Sequence, residues 1–147
     1  MPLEIHDLQS HLSLDLELLA RAVEAAAEER DPEVSLSVVD DEAIRRVNRE
    51  HLGRDRPTDV IAFDYREPEE RAGGVAGEVI LSAETALRAA RERSGDPLAE
   101  VVRYAVHGVL HLKGYDDGDP ASARAMWRRQ EAVLEGLGLA PEPFPGE

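Results

Sequence analysis

His107 and His111 are the two residues whose type and spacing most directly imply chemistry. They stand four apart in a segment opened by Asp96-Pro97, an N-cap followed by a proline suited to the first helical turn. On a helix that spacing sends both rings out from one face, one turn apart. Two imidazole nitrogens so placed can reach one divalent ion at about 2.0–2.1 Å. Gly114 then permits an abrupt turn that folds Tyr115-Asp116-Asp117 back over the rings. The pattern His-x3-His-x2-Gly-x2-Asp has the spacing of the metzincin zinc site, with Asp117 in the third-ligand position. Asp116 and Asp119 compete for that role, but the register favours Asp117. The chain has no cysteine, so a metal site must be built from histidine and carboxylate.

The bland alternative is a histidine pair that faces water. A helical wheel begun at Leu98, at about 100° per residue, puts Val101, Val102, Ala105, Val106 and Val109 on one apolar stripe, with Leu110 at its margin. His107 and His111 fall opposite the centre of that stripe, so they point to solvent or line a cleft. Gly108 favours the cleft. A glycine inside a helix costs about 1 kcal/mol relative to alanine, a cost easier to understand where another element packs closely. Gly108 also argues against peptide hydrolysis, because it stands where a metzincin carries its general-base glutamate. His6, His11 and His51 stand alone in sequence and read as ordinary surface or core residues.

The run His107-Gly108-Val109-Leu110-His111-Leu112-Lys113-Gly114-Tyr115-Asp116 resembles the signature of the YbeY endoribonucleases, bacterial rRNA maturation factors. Asn48 with Gly53-Arg54-Asp55-Arg56-Pro57-Thr58-Asp59-Val60-Ile61-Ala62-Phe63 resembles that family's central segment, and Gly77-Glu78-Val79-Ile80-Leu81-Ser82 its internal strand. The match runs in order over residues 34–117. The resemblance implies a compact α+β fold and a zinc ion held by three side chains, His107 and His111 among them. It also implies single-strand-specific endoribonuclease activity in rRNA processing and ribosome quality control. Two departures stand out. The family's third ligand is normally histidine, where Asp117 stands here. An anionic ligand makes the metal a weaker Lewis acid and widens the choice towards oxygen-preferring ions. An arginine that some members carry before the central glycine is replaced by Leu52, with Arg54 two residues on as a candidate phosphate clamp. Ala62 and Asp64 stand where the family favours serine and proline.

Metal-assisted cleavage of an RNA phosphodiester is the first functional reading, with either water or the ribose hydroxyl as nucleophile. Residues 45–56 hold Arg45, Arg46, Arg49, Arg54 and Arg56 against Glu50 and Asp55, the best local candidate for a backbone-binding patch. The competing view of that patch is an ordinary charged helix face. A second functional reading is a ribosome-associated assembly factor with a structural metal and little nuclease activity. A third is a hydrolase of another phosphoester or an amide.

The elements that must position these residues are legible in outline. Leu16, Leu19, Ala20, Val23 and Ala27 recur at helical spacing after Ser13, a candidate N-cap, in a helix ending near Glu29. Residues 34–39 alternate like a half-buried strand. Asp40 or Asp41 caps a second helix with Ile44 and Val47 inward. Residues 60–63 and 77–81 read as strands, joined by an acidic, glycine- and proline-bearing loop or hairpin tip. Ser82 caps a helix that Gly95 ends; the histidine helix runs to about Lys113. Asp119-Pro120 opens a last helix with Met126, Gln130, Val133, Leu134 and Leu137 inward. The expected fold is one α+β domain over residues 1–140: a mixed sheet of three or four strands, about five helices, and the metal site on a central helix. Residues 141–147, rich in proline, read as a flexible tail.

The composition bounds the whole. There are 147 residues with 31 acidic and 17 basic side chains, a net charge of −14. Hydrophobic content of 42% beside 33% charged residues describes a globular chain rather than a disordered one. The first residues lack the basic stretch and apolar run of a signal peptide, and no stretch reaches the ~20 apolar residues of a membrane span. A cytoplasmic protein without membrane partners is expected. The acidic balance argues against a generic nucleic-acid binder, and so points to modest, salt-dependent RNA affinity with ribosomal proteins or assembly factors as partners. Oligomeric state is not legible.

Overall fold

The computed structural model describes residues 3–146; Met1, Pro2 and Glu147, touched by the readings of the two termini, lie outside them. Strand β1 (Glu4–Asp7) precedes helix α1 (Leu16–Ala27), strand β2 (Glu33–Val39) and helix α2 (Asp41–Leu52). Strand β3 (Val60–Phe63), strand β4 (Ala76–Ser82), and helices α3 (Ala83–Arg93), α4 (Pro97–Leu112) and α5 (Pro120–Gly136) follow. The architecture is the expected single α+β domain with a mixed sheet. The strand order is β1-β2-β4-β3, with β1, β2 and β4 parallel and β3 antiparallel to β4. Among the described residues no helix is long and apolar enough to cross a membrane.

Helix starts follow the side chains that can accept the unpaired N–H groups of a first turn. Asp40, Ser82, Asp96 and Asp119 cap α2, α3, α4 and α5 as expected, accepting from the amides of Ala43, Thr85, Leu98 and Ser122. For α1 the cap is Asp15, accepting from Leu18 N at 3.0 Å, rather than Ser13. A carboxylate there also meets the positive end of the helix dipole. Strand β1 escaped the sequence reading: four residues with one partly buried apolar side chain, Ile5, carry too little pattern to stand alone. Pairing with β2, from Glu4↔Ser35 to Asp7↔Val38, makes it a strand. The acidic connection between β3 and β4 contains a 3₁₀ turn, Pro68–Gly73.

The sheet buries both faces unequally. Leu36, Val38, Val79 and Leu81 join the main core with α1, α3, α4 and α5. On the other face Val39, Ile61 and Ile80 pack with Ile44 of α2. Helix α4 lies at the centre of the main core, in contact with α1, α3, α5, β3 and β4. Its burial runs almost all the way round, wider than the stripe read from the wheel. From Glu100 to Leu112, every residue is buried except His107 and His111. Residues 140–146 form no helix or strand and lie along α5. There Trp127 Nε1 donates to Glu142 O at 2.9 Å, Glu142 N donates to Glu131 Oε1 at 2.8 Å, and the Phe144 ring meets Trp127 edge-on.

Candidate metal centre

Helix α4 is held to the sheet at its glycine. A Cβ on Gly108 would sit 2.5 Å from Val79 Cγ1 and 3.2 Å from Val60 Cγ2, so only glycine lets the helix approach β3 and β4 this closely. The close packing anticipated around Gly108 is therefore provided by two valines. It sets the helix so that its two histidines emerge at the edge of the core.

Gly114, with φ of +107°, turns the chain immediately after the helix. The turn is fastened by Gly114 N donating to His111 O and Tyr115 N donating to Leu110 O, each at 3.0 Å. It returns Asp117 to the histidines: its Oδ2 lies 3.6 Å from His107 Nε2 and 3.5 Å from His111 Nε2. The two rings stand nearly perpendicular, with centroids 4.8 Å apart. All three donor atoms fall within 4.8 Å of one another. Ligand bonds of about 2.0–2.1 Å in tetrahedral geometry separate donors by about 3.3–3.4 Å, close to the two histidine–aspartate distances. The donor set fits a divalent ion.

The competing aspartates are engaged elsewhere. Asp116 Oδ1 accepts from Gly118 N at 3.1 Å, and Asp119 caps α5 while its Oδ2 accepts from Ser122 Oγ at 2.8 Å. Burial lowers the pKa of His111, the neighbouring His107 adds to the effect, and Asp117 partly offsets it. The shift favours the neutral imidazole, the form a metal requires.

His111 also lines a groove of about 470 Å³ with Leu112, Phe63, Asn48, Leu52, Arg54 and Arg56. The structure sorts the five arginines of the expected patch. Arg45 and Arg49 pair with Asp55 at 2.8 and 3.8 Å, and Arg46 lies 3.9 Å from Glu42. Arg54 and Arg56, both exposed, have no carboxylate within salt-bridge distance among the described residues, and both face the groove. Asn48, 3% exposed, holds their loop. Its Nδ2 donates to Arg56 O at 2.9 Å, and its backbone carbonyl accepts from the amides of Gly53 and Arg54. Two further features went unread in the sequence. Phe63 and Tyr65 hold their rings parallel with centroids 6.0 Å apart, and Tyr65 is 73% exposed. Gln130, read as part of the inner face of α5, lies 2.8 Å from His107 Nδ1 through its Oε1. The available signal was its polarity at an otherwise apolar position.

The sequence matches the family described as Endoribonuclease YbeY over residues 4–138. A relative from Moorella thermoacetica, named Endoribonuclease YbeY, is 42% identical over 95% of this chain and 99% of its own. Another of the same name, from Pelotomaculum thermopropionicum, is 38% identical over 95% and 99% of the two chains. The solution structure of a Thermotoga maritima protein superposes with a TM-score of 0.64 at 25% identity, covering 97% of this chain and 99% of that one. With the same signature residues converging on one donor set, the chain belongs to the YbeY endoribonuclease family.

Proposed function

We propose that this endoribonuclease of rRNA maturation binds single-stranded RNA along the groove between α4 and the loop after α2, with a divalent ion held by His107, His111 and Asp117. The observation that carries the reading is that His111 and the two unpaired arginines, Arg54 and Arg56, border one groove. When bound, the ion supplies a Lewis acid that offsets charge developing on a phosphate; zinc is our proposed occupant. Arg54 and Arg56 hold the phosphate backbone and set it against the histidine edge. Phe63 lines the groove and stacks with exposed Tyr65, so the pair offers the aromatic surface on which unpaired bases rest. Leu52 leaves the rim apolar at the position of the arginine found in some relatives, so Arg54 takes the clamping role. Since the chain carries −14 overall, we further propose that a ribosomal protein or assembly factor supplies specificity that the groove alone lacks.

The test is cleavage of a single-stranded RNA by zinc-loaded protein, beside the His111→Ala variant purified identically. Wild-type cleavage that is lost in the variant is expected. Equal cleavage by both would overturn the site. A second measurement, elemental analysis after zinc reconstitution, is expected to find one ion per wild-type chain.

A further inference from the structure

Behind His107 lies a chain of buried polar groups whose hydrogen-bond roles can be worked out from one end. Arg103, 4% exposed, is always a cation and only donates. It grips Glu131 with two bonds, Nε to Oε2 at 2.8 Å and Nη2 to Oε1 at 2.9 Å, and sends Nη1 to Glu100 Oε1 at 2.8 Å. Glu131, 6% exposed and facing this guanidinium, is a carboxylate and only accepts. The Gln130 atom 2.8 Å from Glu131 Oε2 must therefore be the amide nitrogen. The other end of that amide, 2.8 Å from His107 Nδ1, must be the carbonyl oxygen, which cannot donate. Gln130 is 1% exposed, so water does not compete for either end.

We infer that Gln130, locked by Glu131 and Arg103, is a positioning residue that holds the proton of His107 on Nδ1 and thereby presents Nε2 as a bare lone pair to the site. The assignment follows from charge and connectivity, because each partner leaves the next only one role. It matters because a neutral imidazole otherwise divides between two tautomers. The one protonated on Nε2 could not ligate through the atom that faces Asp117. Ring partners of this kind fix ligand orientation and raise ligand basicity. The functional weight of the inference rests on the metal reading proposed above; the tautomer itself does not.

The test is therefore made first on metal-free, full-length protein. Nitrogen-15 NMR of the imidazole groups at pH 8 distinguishes the two neutral tautomers by their nitrogen shifts and proton couplings. His107 is expected as the Nδ1–H form in the wild type, and to move towards Nε2–H in Gln130→Met, which keeps the length of the side chain and removes its acceptor. A wild-type His107 in the Nε2–H form would overturn the inference without recourse to any variant. So would a folded Gln130→Met protein that keeps the Nδ1–H form. Titration with zinc alone is expected to give an affinity lowered roughly 10–100-fold in Gln130→Met. Unchanged affinity would remove Gln130 from the positioning role. Nδ1–H in a wild type that binds no zinc would leave the tautomer standing and refute the metal reading instead.

Discussion

Asp116, Asp117 and Asp119 lie within four positions and have three different tasks. Asp116 closes a turn onto Gly118 N, Asp119 starts a helix, and Asp117 alone turns to the histidines. Asp117→Ala is expected to weaken zinc binding by roughly 100-fold or more, since a direct ligand is worth at least as much as its outer partners. Asp116→Ala should leave affinity within about threefold, because its loss disturbs a turn and not the donor set. Competition titration against a chromophoric chelator measures both, and the reverse ranking would reassign the third ligand. The histidine pair was legible because i,i+4 spacing is a local geometric fact. Arg54 was singled out only by its nearness to the family's arginine position, and the selection of Arg56 beside it, as the two unpaired members of five arginines, was not legible. It depends on where Asp55 points after a turn, and no periodicity records that. Gln130 was hidden for a related reason: its partner His107 lies 23 positions away on another helix.

Helix α4 is the element on which the site depends, and its placement is decided by a missing methyl group. Gly108→Ala adds a carbon 2.5 Å from Val79 Cγ1, and overpacking of this kind costs about 1–3 kcal/mol. The gain in helix propensity returns about 1 kcal/mol. Since Val79 is itself wholly buried in the central strand β4, it has little room to yield. The variant is expected to be about 1 kcal/mol less stable in urea unfolding. A variant more stable than wild type would mean that the valines give way freely. At this scale the caps of α2 to α5 and most strands were readable, since each is announced by a few neighbouring residues, while the α1 cap was placed two residues early. The placement of β4 between β2 and β3 was not, and nor was β1. Strand order is settled by packing between segments far apart in sequence, where single-chain patterns are silent.

The molecule as a whole is an acidic body with a small cationic groove. Of the arginines around that groove, Arg54 and Arg56 remain available for phosphates, so the expected electrostatic footprint is about two backbone contacts. Each contact to a single strand contributes about 0.7 to the slope of log K against log salt. Replacing both arginines with alanine is expected to flatten that slope by about 1.4 and to weaken binding across RNA sequences alike. Fluorescence anisotropy with a short unstructured RNA at several salt concentrations checks this. A slope unchanged in the double variant would move the RNA path elsewhere. The net charge of −14, which argued against nucleic acid when averaged over the chain, thus becomes a repulsive background that long-range screening by salt reduces. Some salt is therefore expected to help the encounter even as it weakens the contacts.

Glu131, which orients Gln130 with one oxygen, accepts the backbone amide of Glu142 with the other. The brace behind His107 thus draws on residues placed long after the ligand helix. A ribosome delivers the chain N-terminus first, so both histidines exist while α5 and the segment that clips to it are still unmade. A nascent chain stalled after α4 carries its histidine pair without Gln130, and on the positioning role inferred above the imidazole is left to choose its own proton. For an enzyme that cuts RNA and is born on a ribosome, the positioning role inferred for Gln130 means that the order of synthesis delays the moment at which His107 is set.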